Sequence, residues 1–83
     1  MLRRSMMTME ITAPLDGNVF QIHIRPGDRV EEDEEILVIE AMKMETPIFA
    51  PCDGTVREIR VKERDQVAEN DVLVIIDEEH IEV

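Results

Sequence analysis

The sequence has no tryptophan or tyrosine, only two phenylalanines, and a single cysteine. Stacking of nucleic-acid bases needs exposed aromatic rings, so a base-stacking platform is excluded. Basic residues are also scarce, because nine Lys and Arg stand against 20 Asp and Glu, giving a formal charge of −11. A basic face is needed to displace counterions from a phosphate backbone, so we expect no nucleic-acid partner and no attraction to an anionic membrane surface.

Other absences concern the location of the protein. No apolar run reaches the roughly 18 residues of a transmembrane helix, so we expect no direct membrane insertion. The first ten residues, MLRRSMMTME, lack the continuous apolar region of a signal peptide. Cys52 has no second cysteine to pair with, which favours a reducing, cytoplasmic location. At 83 residues the chain is long enough for one small domain.

The hydrophobic residues fall in short β-branched clusters bounded by Gly, Pro, Asp or Asn. This pattern is typical of strands and predicts an all-β domain. The clusters are Val19–Ile24, Ile36–Ile39, Ile59–Val61 and Val72–Ile76.

An internal repeat organises the chain. Residues 13–40 align without a gap on residues 50–77, at an offset of 37, and ten of the 28 aligned pairs are identical. Solenoids need about three or more repeats, so two repeats indicate two halves of one domain related by a pseudo-two-fold axis. Each half then supplies one sheet, and neither half can bury its apolar face alone.

The repeat also predicts local backbone features. We expect Gly17 and Gly54, each after an aspartate, to be turn glycines with positive φ. A second turn contains Gly27 in the first half and Arg64 at the equivalent position, where a positive φ would cost about 1 kcal/mol. The alternation of apolar residues slips by one inside the second strand of each half, which predicts β-bulges near Phe20-Gln21 and Arg57-Glu58.

The segment between the halves, EAMKMET, places a lysine at the tip of a hairpin. Strand Ile36–Glu40 ends and Met44–Phe49 begins, so the turn should hold Ala41, Met42 and Lys43. Asn-Gly or Asp-Gly is the usual choice for such a tip. A methionine on each side of an exposed amine instead indicates a surface that another protein recognises, since methionine side chains adapt to partners.

These residues resemble the biotinylation motif of biotin carboxyl carrier domains. The resemblance covers residues 9–77 and includes APLDGNV before the motif and APCDGTV after it. It implies a flattened β-barrel, or barrel-sandwich hybrid, of two four-stranded antiparallel sheets. It further implies that Lys43 carries covalent biotin attached by a biotin protein ligase. The ligase would recognise residues flanking the lysine, which are Glu40, Ala41, Met42, Met44 and Glu45.

The same resemblance implies a carrier rather than an enzyme. Such a carrier takes a carboxyl group on biotin from a biotin carboxylase to a carboxyltransferase acting on an acyl-CoA or keto acid, and it catalyses neither step. Which acceptor is used is left open. Residues 1–8 are expected to be an N-terminal extension and residues 78–83 a C-terminal tail, and the chain is either a free-standing subunit or an excised domain.

Two other functions are consistent with the same fold. A lipoyl carrier of an oxidative decarboxylation complex shares the hairpin lysine, but its usual tip is Asp-Lys-Ala rather than Met-Lys-Met. An unmodified binding module of an efflux-pump protein needs no lysine at the tip, but it sits among long coiled-coil helices.

The remaining polar residues have simpler interpretations. The acidic run Glu31–Glu35 lacks the ligand spacing of a calcium loop and is expected to be a solvated turn. His23 and His80 are isolated, so no metal site is expected, and Cys52 is interpreted as a small apolar filler. No catalytic set of residues is present, which argues against a stand-alone enzyme.

Overall fold

The chain is built from β-strands. The computed structural model describes the backbone of residues 3–82 and the side chains of residues 7–79. No helix occurs among these residues, so none could cross a membrane. In chain order the strands are β1 (Arg3–Thr12), β2 (Gly17–Ile22), β3 (Arg29–Val30), β4 (Glu35–Ala41), β5 (Met44–Phe49), β6 (Gly54–Ile59), β7 (Gln66–Val67) and β8 (Val72–Glu82).

The strands form two four-stranded antiparallel sheets, in the orders β1-β8-β6-β3 and β5-β4-β2-β7. The offset of 37 carries β2 onto β6 and β3 onto β7, and it carries the first residue of β4 onto the first residue of β8. The two sheet orders correspond strand for strand under this operation. The predicted all-β fold with an internal pseudo-two-fold duplication is therefore confirmed. The expectation that each half supplies one sheet is wrong, because β3 of the first half joins the sheet of β6 and β8, and β7 of the second half joins the sheet of β2 and β4.

The core lies between the two sheets and is wholly apolar. No polar or charged side chain is buried among the described residues, and no buried side-chain N or O atom lacks a hydrogen-bond partner. Three of the predicted strand clusters supply buried residues to this core, whereas Ile59 and Val61 of the remaining cluster are partly buried and pack against it. The largest fully buried side chains are Val19, Val30, Ile36, Leu37, Ile39, Val56, Leu73, Val74 and Ile76.

Both predicted bulges are present. The register of β2 against β4 shifts between Val19 and Gln21, and that of β6 against β8 shifts between Val56 and Glu58. The left-handed turn position is also confirmed in both halves, with φ of 93° at Gly27 and 79° at Arg64. The duplication therefore extends to the backbone conformation, even where the second half has a side chain in place of glycine.

The prediction of positive φ at Gly17 and Gly54 is wrong, because Gly27 is the one glycine with positive φ. These two glycines are instead required by close packing. A Cβ on Gly17 would lie 2.6 Å from the carbonyl oxygen of Glu40, and one on Gly54 would press on the carbonyl of Asp77. Glycine is therefore used here for close approach of two strands, as often occurs within sheets.

The first sheet continues past both predicted ends of the domain. β1 pairs with β8 from Arg3 opposite Glu82 to Thr12 opposite Val72, with one irregularity near Thr12. The expected boundaries after residue 8 and after residue 77 therefore fall inside paired strands. The molecule is elongated, with principal extents of 51 × 20 × 18 Å. Met1, Leu2 and Val83 lie outside the described residues.

Candidate functional site

The hairpin that joins β4 to β5 ends in a two-residue turn of Met42 and Lys43. Ala41 pairs with Met44 in the last rung of the ladder, so Ala41 belongs to β4 rather than to the turn as predicted. Met42 and Lys43 have φ of 53° and 63°, respectively. Two successive left-handed residues define the type I′ turn, which matches the twist of the flanking strands. A side chain in this region costs about 1–2 kcal/mol per residue, so this turn is strained.

The side chains of the tip extend into solvent. Met42 is 95% exposed, Met44 is 71% exposed, and Lys43 between them is exposed. Lys43 forms no ion pair with any other described residue. An incoming protein could therefore reach the amine and both thioethers together, as expected from the sequence.

The rungs below the tip place two acidic residues side by side. Glu40 of β4 pairs with Glu45 of β5, and on its other side it pairs with Asn18 of β2. Directly opposed like charges destabilise a ladder. Because cross-strand partners share a face of the sheet, Glu40 and Glu45 lie on one face of the hairpin, and Ala41 and Met44 lie on the other.

Residues from two other segments surround the base of the hairpin. A shallow concavity of about 270 Å³ lies there, and Lys43 is part of its lining. The close approach of Gly17 to β4 seats β2 directly against the base, since a Cβ at Gly17 would lie 3.2 Å from the Cβ of Ala41. The rest of the lining comes from Asp16, Asn18, Glu40, Met42 and Gln66.

Asp16 has a structural role that the sequence analysis missed. Its Oδ1 accepts a hydrogen bond of 2.7 Å from the backbone N–H of Glu69, and the equivalent Asp53 Oδ1 accepts one of 2.8 Å from the N–H of Glu32. Each aspartate thus holds a turn that belongs to the other half. The conservation of this aspartate between the repeats was the available signal, but it was interpreted as a feature of the local turn.

The other polar residues with described side chains form no further site, and the side chain of His80 lies outside that part of the chain. Glu34 accepts the N–H of Glu31 at 3.0 Å, so the acidic run supports its own turn. Glu35 instead lies 2.8 Å from the ring of His23. Cys52 is buried, and burial raises the pKa of its thiol. No group of three or more His, Cys, Asp or Glu side chains suited to a metal ion occurs within the described side chains.

Residues 19–76 match the biotin and lipoyl attachment family model, which is described as "Biotin-requiring enzyme". The chain belongs to this family. The family unites covalent biotin and lipoyl attachment, and the prediction of a biotinyl-type domain is confirmed at this level.

Curated relatives match about half of the chain. The methylmalonyl-CoA carboxyltransferase 1.3S subunit of Propionibacterium freudenreichii subsp. shermanii is 54% identical over 37 residues, which are 45% of this chain and 30% of that protein. The glutaconyl-CoA decarboxylase subunit gamma of Acidaminococcus fermentans is 45% identical over 41 residues, 49% of this chain and 28% of that protein. The biotin/lipoyl attachment protein of Bacillus subtilis is 41% identical over 40 residues, 48% of this chain and 55% of that protein. The matched segments thus span about half or less of these relatives.

Solved structures share the fold. A single-chain, multi-domain long-chain acyl-CoA carboxylase superposes with a TM-score of 0.81 over 86% of this chain and 7% of the carboxylase, at 24% identity, which supports the fold alone. The lipoyl domain of the 2-oxoglutarate dehydrogenase complex from Azotobacter vinelandii superposes with a TM-score of 0.71 at 34% identity, over 81% of this chain and 92% of that domain.

The tip fits a covalently attached group. Biotin is the cofactor of this biotin-requiring family, and its carboxyl group joins a protein through an amide to a lysine. Such an amide requires a primary amine that an enzyme can approach. In the structure Lys43 is such an amine, on a protruding turn and flanked by two exposed apolar side chains.

Proposed function

We propose that this chain is a biotin carboxyl carrier, that Lys43 is its biotinylated residue, and that a biotin protein ligase modifies it. The observation that carries the proposal is the placement of Lys43 at a strained type I′ tip between Met42 and Met44, both largely exposed. The relatives named for carboxyltransferase and decarboxylase complexes support the same function. We propose that the chain works in the cytoplasm as a non-catalytic component that meets a biotin carboxylase and a carboxyltransferase.

The modification is an acyl transfer to the lysine amine. Lys43 must first lose its ammonium proton, and we propose that the ligase supplies the environment for this loss. The neutral Nζ then attacks the acyl carbon of biotinyl-adenylate. An N–C bond forms, AMP leaves with the bonding electrons, and the nitrogen releases a second proton to become an amide. An arginine in the same place would stay protonated and could not react.

The ligase is proposed to recognise both faces of the hairpin. Met42 and Met44 offer adaptable apolar contacts, and Ala41 keeps the last rung small where Gly17 packs. Glu40 and Glu45 present paired negative charges on the opposite face. That pairing costs stability in the free domain, so its presence favours a role in binding a basic ligase surface. The unit proposed to be recognised is the barrel of residues 9–77.

The carrier role follows from reach and charge. When bound, biotin supplies a ring nitrogen that holds a carboxyl group. The lysine stem and the biotin chain extend on the order of 12 Å, so the whole domain is expected to move between more distant enzyme sites. The formal charge of −11 would steer the domain toward basic surfaces of its partners, and salt would weaken this attraction.

A lipoyl carrier is the second candidate, because a lipoyl domain is 34% identical and shares the fold. The two functions differ in the enzyme that modifies Lys43. The purified chain should be offered to a biotin protein ligase with biotin and ATP, and in a parallel reaction to a lipoate ligase with lipoate and ATP. Biotin incorporation, followed by a streptavidin gel shift, should be much the faster. Preferential lipoylation would overturn the biotin assignment.

Variants of the flanking methionines test recognition in the same assay. Replacing both residues, as Met42→Asp with Met44→Ala, should slow biotinylation and raise lipoylation, because the apolar contacts are lost and the tip becomes more lipoyl-like. The fold should be unaffected, since both side chains are largely exposed. Unchanged biotinylation kinetics would refute the role proposed for the methionines.

A further inference from the structure

Among residues 3–82, strand β1 has a partner strand along one edge and none along the other. It lies at the end of the sheet order β1-β8-β6-β3, and within the described part of the chain it pairs with β8 alone. It is ten residues long, contains no proline, and runs without a bulge from Arg3 to Ile11. Unprotected strands of this length are templates for strand addition.

The alternation of hydrogen bonds identifies the polar groups at this edge. The Glu79 N–H donates to the Asp53 carbonyl at 3.1 Å, and the Leu73 carbonyl accepts the Arg60 N–H at 2.9 Å. The backbone N–H and C=O groups of odd-numbered residues of β8 therefore point toward β6. The backbone N–H and C=O groups of even-numbered residues of β8 point toward β1, and the register pairs these residues with odd-numbered residues of β1. The remaining N–H and C=O groups of β1 point outward. They belong to Arg4, Met6, Thr8 and Glu10.

The apolar face of β1 is also incomplete. Ile11 is buried at 7% exposure, but Met9 is 37% exposed and Met7, farther along the same face, is 60% exposed. The sheet has fewer strands toward the N-terminal end of β1, because β6 begins at Gly54 opposite Glu78 and β8 continues beyond that point. Past that point the described sheet consists of β1 and β8 alone. A two-stranded ribbon is marginally stable by itself and gains from a third strand.

The sequence of β1 is complementary to itself when reversed. In an antiparallel pair, the backbone N–H and C=O groups of two directly opposed residues either both point toward the partner strand or both point away from it. This allows two-fold axes at Met6, Met7 or Thr8, among others. A two-fold axis at Met7 places Arg4 opposite Glu10 of a second copy. By symmetry it also places Glu10 opposite Arg4 of that copy, so two pairs of unlike charge form. An axis at Met6 would place Arg4 opposite Thr8, and one at Thr8 would place Met6 opposite Glu10, so neither opposes unlike charges.

We propose that β1 pairs antiparallel with β1 of a second copy of this chain, about a two-fold axis at Met7. Arg4 then exchanges backbone hydrogen bonds with Glu10 of the second copy, and Met6 does so with Thr8. The two Met7 residues oppose each other at a non-hydrogen-bonded rung, where side chains are closest, and the exposed methionine face is covered. The sheet β1-β8-β6-β3 of one copy then joins the same sheet of the second copy, and together they form one continuous sheet of eight strands. This inference is independent of the proposed function, because the modification hairpin lies in the other sheet.

Sedimentation of the full chain over a dilution series tests the proposal. A concentration-dependent dimer is expected, and a monomer at every concentration would overturn it. Thr8→Pro removes an outward-facing N–H and should abolish the dimer, whereas the matched variant Thr8→Val keeps that N–H and should retain it. Dimerisation that is unaffected by the proline would place the contact elsewhere and contradict the proposal.

Charge reversal tests the register without a proline. Arg4→Glu and Glu10→Arg each create two like-charge pairs, so each should weaken dimerisation on the order of tenfold. The double variant restores two opposite pairs and should recover the dimer. Failure of the double variant to recover would exclude the axis at Met7.

Cross-linking locates the axis directly. In a Cys52→Ala background, Met7→Cys should form a disulfide-linked dimer under mild oxidation, because the two residues oppose each other on the axis. The matched variant Ser5→Cys should form no such disulfide, because residue 5 lies opposite Met9 of the second copy and not opposite another cysteine. Equal cross-linking by both variants, or by neither, would refute the pairing.

Discussion

The turn at the hairpin tip makes a prediction about stability. Met42 and Lys43 hold φ of 53° and 63°, where a side chain costs about 1–2 kcal/mol per residue. Asn-Gly is the preferred sequence for this turn, although glycine returns part of the gain through its larger loss of backbone entropy. Met42→Asn with Lys43→Gly should therefore raise the free energy of unfolding by about 1–2 kcal/mol. For a domain of this size, each kcal/mol corresponds to about 4–8 °C in Tm.

Arg64 provides the matched control, because it holds φ of 79° at a turn remote in sequence from the tip. Arg64→Gly should stabilise the domain by about 1 kcal/mol and leave modification by the ligase unchanged. The tip variant should gain stability and lose modification. Urea denaturation monitored by circular dichroism measures the first effect, and mass spectrometry the second. A tip variant no more stable than the parent, alongside a stabilised Arg64→Gly, would refute the claim that the tip is strained for function.

Three further predictions concern packing and capping. Gly17→Ala should cost about 2 kcal/mol in urea denaturation because its Cβ meets backbone, whereas Gly27→Ala has open space and should cost only about 1 kcal/mol of left-handed strain. Asp16→Ala and Asp53→Ala should each lower the free energy of unfolding by about 1 kcal/mol, since the two carboxylates accept equivalent backbone N–H groups. Clearly unequal losses would argue against the symmetry of the turns. Burial raises the pKa of the Cys52 thiol, so the stability that it contributes should be fully present below the ordinary pKa of a thiol and fall as the pH rises above it. Cys52→Ala should remove this dependence, and rapid alkylation of the native thiol at neutral pH would contradict its burial.

The sequence predicted the features that repeat or alternate locally. The offset of 37 led to two equivalent sheets, and the slip in parity located both bulges. The motif placed Lys43 at the tip and its neighbours in solvent. These predictions succeeded because period-2 alternation and an internal duplication are recorded within short stretches of chain.

The features that the sequence did not reveal depend on contacts between distant residues. Gly17 was assigned a turn conformation, but its role is the approach of β2 to the backbone of Glu40. Asp16 caps Glu69, which is 53 residues away. The pairing of β1 with β8 joins the two ends of the chain, and neither end has a turn signal that specifies its partner. The turn itself was shorter than predicted, because Ala41 pairs with Met44 across the ladder.

The most direct test of the central claim is the mass of the chain after incubation with biotin, ATP and a biotin protein ligase. We expect an increase of one biotinyl group, located by peptide mapping on Lys43, and no increase for a folded Lys43→Arg variant. A biotinyl group on another lysine, or an unchanged mass of the folded parent, would show that Lys43 is not the biotinylated residue.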